Sequence, residues 1–147
     1  MQGGDISNQT TPRLLIEFEN LIGHPPARKG LAAVKRTLGQ WHGLALEWDL
    51  DDLVVKVMWD LSWRLHQTLE VITTQGPDFA AALEERLDAE QVPASRVWAY
   101  QPRVLARRLA SMPYVAAVYT TNPHHALLYG SRGRLITTDN LLQMGRF

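Results

Sequence analysis

The chain has 147 residues, long enough to bury a core, and we expect a flexible leader over residues 1–12 followed by a single domain over residues 13–147. Fifteen basic and fifteen acidic side chains cancel, so neither nucleic acid nor a membrane is an expected partner. Cysteine is absent, which excludes disulfides and thiolate chemistry, and no apolar run approaches the roughly 20 residues that span a bilayer. The leader lacks the apolar core of a signal peptide, so the sequence predicts a cytoplasmic protein.

The first predicted strand is an apolar run that ends in two acids. The run is Leu14–Phe18, and Glu17 and Glu19 lie two residues apart at its end. Residues two apart in a strand share a face, so both carboxylates should point the same way. Ligands collect at the carboxyl ends of parallel strands, which makes this pair a candidate for chemistry. The alternative is a strand that simply runs out into solvent.

Helical patterns dominate the next part of the chain. Apolar spacing predicts a helix over residues 29–40 and a second one over residues 49–66, while residues 44–48 form either a strand or a flap. Trp59 and Trp63 widen the apolar face of the second helix. We expect them to pack against the sheet or a flap, with a base-stacking platform as the remote alternative.

The rest of the chain alternates strands with helices. Strands are predicted over residues 69–74, 97–100 and 115–119, and helices begin at Pro77 and Pro102. This alternation predicts a three-layer, Rossmann-like α/β fold with a mainly parallel sheet.

The C-terminal part predicts a β-hairpin at the edge of that sheet. The apolar pieces Ala126–Tyr129 and Arg134–Thr137 flank a link with two glycines, Gly130 and Gly133. Residues 138–147 are expected to be a loose tail or a short helix.

Four strand-end motifs follow one another along the chain. They are the acids Glu17 and Glu19, the hydroxyls Thr73 and Thr74, the helix start at Arg103, and the segment Thr120-Thr121-Asn122-Pro123. This order resembles the haloacid dehalogenase-like (HAD-like) superfamily, in which Asp-x-Asp, Ser or Thr, Lys or Arg, and an acidic pair stand at these places. The segment 118–133 also resembles short HAD-like proteins of actinobacteria and their phages, so the expectation includes a phage protein of the host cytoplasm.

The resemblance implies a Mg²⁺-dependent phosphohydrolase acting on a small phosphorylated substrate. Glu17 would be the nucleophile and Glu19 the acid and base that serves the leaving group. Either Thr73 or Thr74 would hydrogen-bond the phosphate, and Arg103 would neutralise it, or Arg107 in its place.

Two departures from the family pattern argue against that activity. Glu17 and Glu19 each carry one methylene more than aspartate, which can displace a reacting oxygen by about 1 Å and cost on the order of 100-fold in rate. Thr120 and Asn122 replace the expected acids, so Glu17 and Asn122 would make only a weak Mg²⁺ site. We therefore expect a pseudoenzyme without a cofactor that acts as a non-catalytic binding or interaction module, with a protein as its partner.

Two other clusters carry alternative functions. The histidines near strand ends are His24, His124 and His125. We expect them to lie at the surface or to be hydrogen-bonded, and not to surround a metal, because neighbouring residues of a strand point to opposite faces. Five arginines (Arg103, Arg107, Arg108, Arg132 and Arg134) could form a nucleic-acid patch, although the neutral net charge favours a solvated face.

Overall fold

A computed structural model describes residues 12–25, 45, 47–137 and 140. The described strands are β1 (Arg13–Glu17), β2 (Gly23–His24), β3 (Asp49–Leu50), β4 (Thr68–Thr73), β5 (Val97–Ala99), β6 (Val115–Thr120) and β7 (Gly133–Leu135). The described α-helices are α1 (Asp52–Trp63), α2 (Pro77–Ala89), α3 (Pro102–Arg108) and α4 (Pro123–Leu128), and short 3₁₀ turns follow at Leu109–Ser111 and Gly130–Arg132.

The main sheet has five strands in the order β5-β4-β1-β6-β7, and each neighbouring pair is parallel. The central strand is β1, in which Ile16 pairs with Val71 on one side and Tyr119 on the other. A parallel strand that is covered on both faces needs apolar residues on both, which explains the unbroken apolar run at Leu14–Ile16. The predicted three-layer α/β fold with a parallel sheet is confirmed.

Helices cover both faces of this sheet. On one face, α1 and α2 enclose a core that includes the rings of Phe18, Trp48 and Phe79, whose centroids are 5.2 to 6.0 Å apart. On the other face, a smaller core around Leu15 and Leu105 includes residues of α3 and Tyr129, which follows α4. The direction in which strands are added to the sheet changes between β1 and β6. The strands β4 and β5 lie on one side of β1, and the chain then crosses through α3 to β6 on the other side.

The C-terminal hairpin prediction is wrong. Residues 126–128 belong to helix α4, and β7 pairs with β6 in parallel, with Val118 opposite Gly133. A parallel pair needs a crossover, which α4 supplies. The helix forms because Asn122 caps it: its Oδ1 accepts hydrogen bonds from the amides of His124 and His125 at 2.9 and 3.3 Å, and Pro123 fits the first helical turn.

The helix predicted over residues 49–66 is shorter at both ends. Asp51 is the N-cap of α1, since its Oδ1 accepts from the amides of Leu53 and Val54, and residues 49–50 pair with β2 instead. The helix ends at Trp63.

Neither tryptophan of α1 belongs to a described core cluster, so the predicted packing against the sheet is wrong, while much of the flap named as the alternative lies outside the described residues. Trp59 is 36% exposed and Trp63 is 70% exposed, and their ring centroids lie 6.1 Å apart. They form an exposed aromatic pair, which we call the tryptophan pair.

Several predictions concern other parts of the chain. Three predicted segments lie outside the described residues: the leader except Pro12, the helix over residues 29–40, and the tail after Thr137 except Asn140. No helix in the described ranges is both long enough and apolar enough to cross a membrane.

We expect Phe79→Ala to lower the free energy of unfolding by about 3–5 kcal/mol, because Phe79 is fully buried between two other rings and its removal leaves a cavity. Urea unfolding followed by circular dichroism measures the change. Leu127→Ala is the control: Leu127 is 80% exposed, so its loss should change stability by less than about 0.5 kcal/mol. Equal effects of the two substitutions would contradict the described core.

Candidate functional site

Glu17 is a buried carboxylate at the carboxyl end of the central strand, only 5% exposed. Its Oε1 accepts a hydrogen bond from the Thr120 hydroxyl at 2.5 Å. Its Oε2 lies 2.8 Å from His125 Nδ1 and accepts from the Tyr129 hydroxyl at 2.9 Å. Three side chains from β6 and the α4 region thus satisfy one carboxylate from β1.

Glu19 bonds to the opposite neighbour of β1. Its Oε2 accepts from the Thr73 hydroxyl at 2.5 Å, and its Oε1 accepts from the amide and hydroxyl of Thr74 at 2.8 and 3.1 Å. The two carboxylates therefore diverge across the sheet, Glu17 toward β6 and Glu19 toward β4, whereas the sequence predicted a common direction. Regular strand geometry ends at Glu17, and the chain turns at Phe18.

The predicted magnesium ligands already accept hydrogen bonds from the protein. Each oxygen of Glu17 already accepts at least one hydrogen bond, and Asn122 Oδ1 accepts two as the cap of α4. The Thr120 hydroxyl also accepts from the Asn122 amide at 3.0 Å. A cation here would compete with these bonds, and one carboxylate with one amide oxygen fills only part of the octahedral shell of oxygens that Mg²⁺ takes, so the residues present are a poor fit for Mg²⁺. The described part of the chain also holds no group of three His, Asp or Glu side chains that could share a metal.

Arg103 stands apart from the acids. It is an exposed residue in the first turn of α3 and donates to neither Glu17 nor Glu19. It lines a groove between α3 and α4 together with His124 and His125. The structure thus brings Glu19 together with Thr73 and Thr74, and brings Glu17 together with the Asn122 segment.

A second cavity, of about 360 Å³, opens at the same edge of the sheet. Asn20, Thr121 and Thr137, which follow β1, β6 and β7, contribute to its lining together with His24 and Asp51. His24 Nε2 lies 3.0 Å from Asp51 Oδ2. Burial acts to raise the pKa of Asp51, but the hydrogen bonds from His24 and the α1 amides outweigh it and lower this pKa.

Burial and charge set the protonation of the central groups. Desolvation raises the pKa of Glu19 above its ordinary value, and the charge of Glu17 adds to this, while the hydrogen bonds from Thr73 and Thr74 oppose it. Desolvation also raises the pKa of Tyr129, and the neighbouring Glu17 raises it further. Tyr129 therefore stays a hydrogen-bond donor at any physiological pH.

Two of the five arginines considered as an alternative nucleic-acid patch bond to backbone carbonyls. The Arg132 guanidinium donates to the carbonyls of Leu109 and Met112, and Arg134 donates to those of Ser131 and Gly133. These bonds give both side chains a structural role beside their charge.

Sequence reasoning missed His125 and Tyr129 as partners of Glu17. They lie four residues apart on one helical turn, so they reach the same point only because this segment is a helix. The signal was present: Asn122 followed by Pro123 is a typical helix start.

Comparisons with protein-family models, with curated proteins and with solved structures each found no match.

We expect Glu17→Ala to lower the free energy of unfolding by about 2–4 kcal/mol, because it leaves the buried donors Thr120 and Tyr129 without their acceptor. Urea unfolding of the wild type and the variant gives the difference. The control is Asp88→Ala, which removes an exposed acid and should cost less than about 0.5 kcal/mol. A Glu17→Ala protein as stable as the wild type would show that this network contributes nothing to folding.

Glu19 should also make stability depend on pH. Its pKa is raised in the folded state, so folding favours the protonated acid, and the stabilisation present below pH 4.5 is lost as the pH rises through the folded-state pKa. We compare the free energy of unfolding of the wild type with that of Glu19→Gln. The difference, wild type minus variant, should therefore decrease as the pH rises from 4 to neutral. Carboxyl-carbon NMR should place the Glu19 midpoint above 4.5. A difference that rises over this range would contradict the assignment.

Proposed function

We propose that this chain is a HAD-like scaffold whose acid pair has become structural, and that it works as a non-catalytic binding or interaction module. One observation carries the proposal: both oxygens of Glu17 and both oxygens of Glu19 accept hydrogen bonds from the protein itself. A nucleophile needs a free, accessible oxygen, and Glu17 is 5% exposed.

The positions of the motifs support the HAD-like part of the proposal. The acids end the central strand β1, the threonines end its neighbour β4, and Thr120 ends its other neighbour β6. The motif order that carries the family resemblance in the sequence thus becomes a set of neighbours at one edge of the sheet. This edge is where parallel α/β sheets bind ligands.

The Glu19 contacts support the loss of phosphoryl transfer. Thr73 and Thr74 offer two hydroxyls and an amide, a set of donors suited to a phosphate group. Glu19 takes all three of these hydrogen bonds with its own carboxylate. In this proposal the side chain thus fills the place of a substrate oxyanion, and no Mg²⁺ is needed to hold the site together.

The tryptophan pair on α1 supports a protein as the partner. Trp59 and Trp63 are exposed, and so are Leu53 and Leu65, which are each 37% exposed. Exposed aromatic side chains are enriched at protein interfaces. A cytoplasmic location, in a bacterial host if the chain is phage-encoded, belongs to the same proposal.

The test measures whether the acid pair binds or hydrolyses a phosphoryl group. We expect no Mg²⁺-dependent hydrolysis of p-nitrophenyl phosphate, and no rise in Tm when Mg²⁺ and beryllofluoride are added together. A ligand at a hundred times its Kd would stabilise the fold by about 2.7 kcal/mol, which a thermal scan resolves easily.

The rival function is the Mg²⁺-dependent phosphohydrolase with Glu17 as nucleophile. It predicts hydrolysis and a Mg²⁺-dependent rise in Tm, both abolished by Glu17→Gln and both kept in Asp88→Asn, the matched control at an exposed acid. That result would overturn the non-catalytic proposal.

A further inference from the structure

We propose that a basic face beside β5 binds an acidic segment of a partner protein. This face, which we call the arginine–aromatic face, consists of Arg96, Trp98, Tyr100 and Arg108. The proposal deepens the proposed function by naming a class of partner, and it rests on that function in treating the chain as a protein-binding module. The face lies on the side of the sheet that α3 covers, away from the tryptophan pair of α1.

Acidic and basic residues are segregated along the sequence. Residues 91–138 contain no aspartate, glutamate or lysine, and every acid of the chain except Asp139 precedes them. The same stretch carries the arginines Arg96, Arg103, Arg107, Arg108, Arg132 and Arg134. A chain without net charge can therefore present a basic local surface, which attracts an acidic partner.

The arginine–aromatic face is a continuous row of contacts. Arg96, Trp98 and Tyr100 are two residues apart in and beside β5, so their side chains share one face of the sheet. The Arg96 guanidinium lies over the Trp98 ring at 4.7 Å, and the Arg108 guanidinium lies over the Tyr100 ring at 6.0 Å. The two ring centroids are 6.4 Å apart. Each guanidinium thus contacts one ring, and the rings contact each other.

The two arginines of this face keep their charge available. Both are exposed, and among the described residues neither forms an ion pair with a carboxylate. Glu70 contacts the Trp98 ring but is only 3% exposed. It accepts hydrogen bonds from Trp98 Nε1 at 3.2 Å and from Arg13 Nη1 at 3.0 Å. Glu70 therefore fixes the indole ring, and Arg13 balances its charge.

The aromatic rings prepare the arginines for a carboxylate. A long side chain loses conformational entropy when it binds, and an existing contact with a ring removes part of that cost in advance. A guanidinium that lies over a ring still has the N–H groups along its edge, which fit a carboxylate in a bidentate pair. Two such groups suit a segment with several acids better than a single carboxylate.

Nucleic acid suits this face less well. Single strands bind through bases that stack on open aromatic rings. Here Arg96 and Arg108 lie over the rings of Trp98 and Tyr100, and both rings also pack against the smaller core. The acids that precede residue 91 would also repel a long polyanion, whereas a short acidic segment meets only the local surface.

The partner would be recognised through side chains and not through strand pairing. The strand β5 is three residues long, and the Val97 amide already donates to Glu84 Oε1 at 2.9 Å. Few amides of this strand are left for an added strand.

The test is a fluorescence-anisotropy titration of a labelled oligoglutamate peptide with the full chain, in EDTA. We expect saturable binding with a Kd below about 100 µM at about 50 mM salt. The Kd should rise at least about threefold at about 200 mM salt, because added salt screens exposed charges. The side-chain Nε–Hε NMR signals of Arg96 and Arg108 should shift with the same Kd.

Paired substitutions locate the binding site. The double variant Arg96→Gln/Arg108→Gln should raise the Kd about tenfold, since it removes the hydrogen bonds of two charged groups. The matched control is Lys56→Gln/Arg64→Gln, which removes two exposed positive charges in and next to α1, on the other side of the sheet. It should change the Kd by less than about twofold.

A third variant separates stacked arginine from charge alone. Arg96→Lys/Arg108→Lys keeps both charges but lacks the planar fork, so we expect the Kd to rise about threefold. Binding as tight as that of the wild type would show that the guanidinium geometry contributes nothing, and it would overturn the assignment to this face.

Four other results would overturn the proposal. They are no saturation by about 1 mM protein, equal affinity for an oligoglutamine peptide, equal effects of the two glutamine double variants, and a single-stranded oligonucleotide of equal charge that binds at least about tenfold tighter than the peptide. The last result would make this a nucleic-acid surface. The titration contains no metal, so its failure is distinct from a failure of the proposed function, which Mg²⁺-dependent hydrolysis or stabilisation would show.

Discussion

The hydrogen bonds to the Glu17 carboxylate join parts of the chain that are far apart in sequence. Thr120, His125 and Tyr129 lie 103, 108 and 112 residues away from Glu17, and all three contact it at the end of the central strand. A buried carboxylate costs several kcal/mol unless donors surround it. The positions of β6 and the α4 region are therefore tied to this one side chain, and so is the edge of the sheet where ligands would bind.

The second acid engages donors at the same edge of the sheet. Glu19 accepts hydrogen bonds from three donors at the end of β4, so the protein's own side chain occupies them. The extra methylene, which counted against catalysis when judged from the sequence, has a constructive role here because a longer acid reaches the neighbouring strand. Through these hydrogen bonds the two acids connect β1 to both neighbouring strands, β4 and β6.

Much of the fold could be predicted from the sequence, because local chemistry marks its elements. The apolar run at Leu14–Ile16 indicates a buried strand, and the prolines at Pro77 and Pro102 indicate helix starts. The positions of Glu17 and Glu19 at a strand end were equally predictable. Their partners His125 and Tyr129 were not, since Tyr129 was assigned to a strand and His125 to the end of one. A four-residue apolar run such as Ala126–Tyr129 fits a strand or a helix equally well, and only the cap at Asn122 decides between them.

Both outer strands of the main sheet are three residues long: Val97–Ala99 on one side and Gly133–Leu135 on the other. A short edge presents few unpaired amides and carbonyls, so it is a poor template for another strand. Sheet extension between molecules, which leads to domain swapping and fibrils, is therefore disfavoured for this fold. A molecule that met either of these two edges would find few free backbone groups, so contacts there would come mainly from side chains.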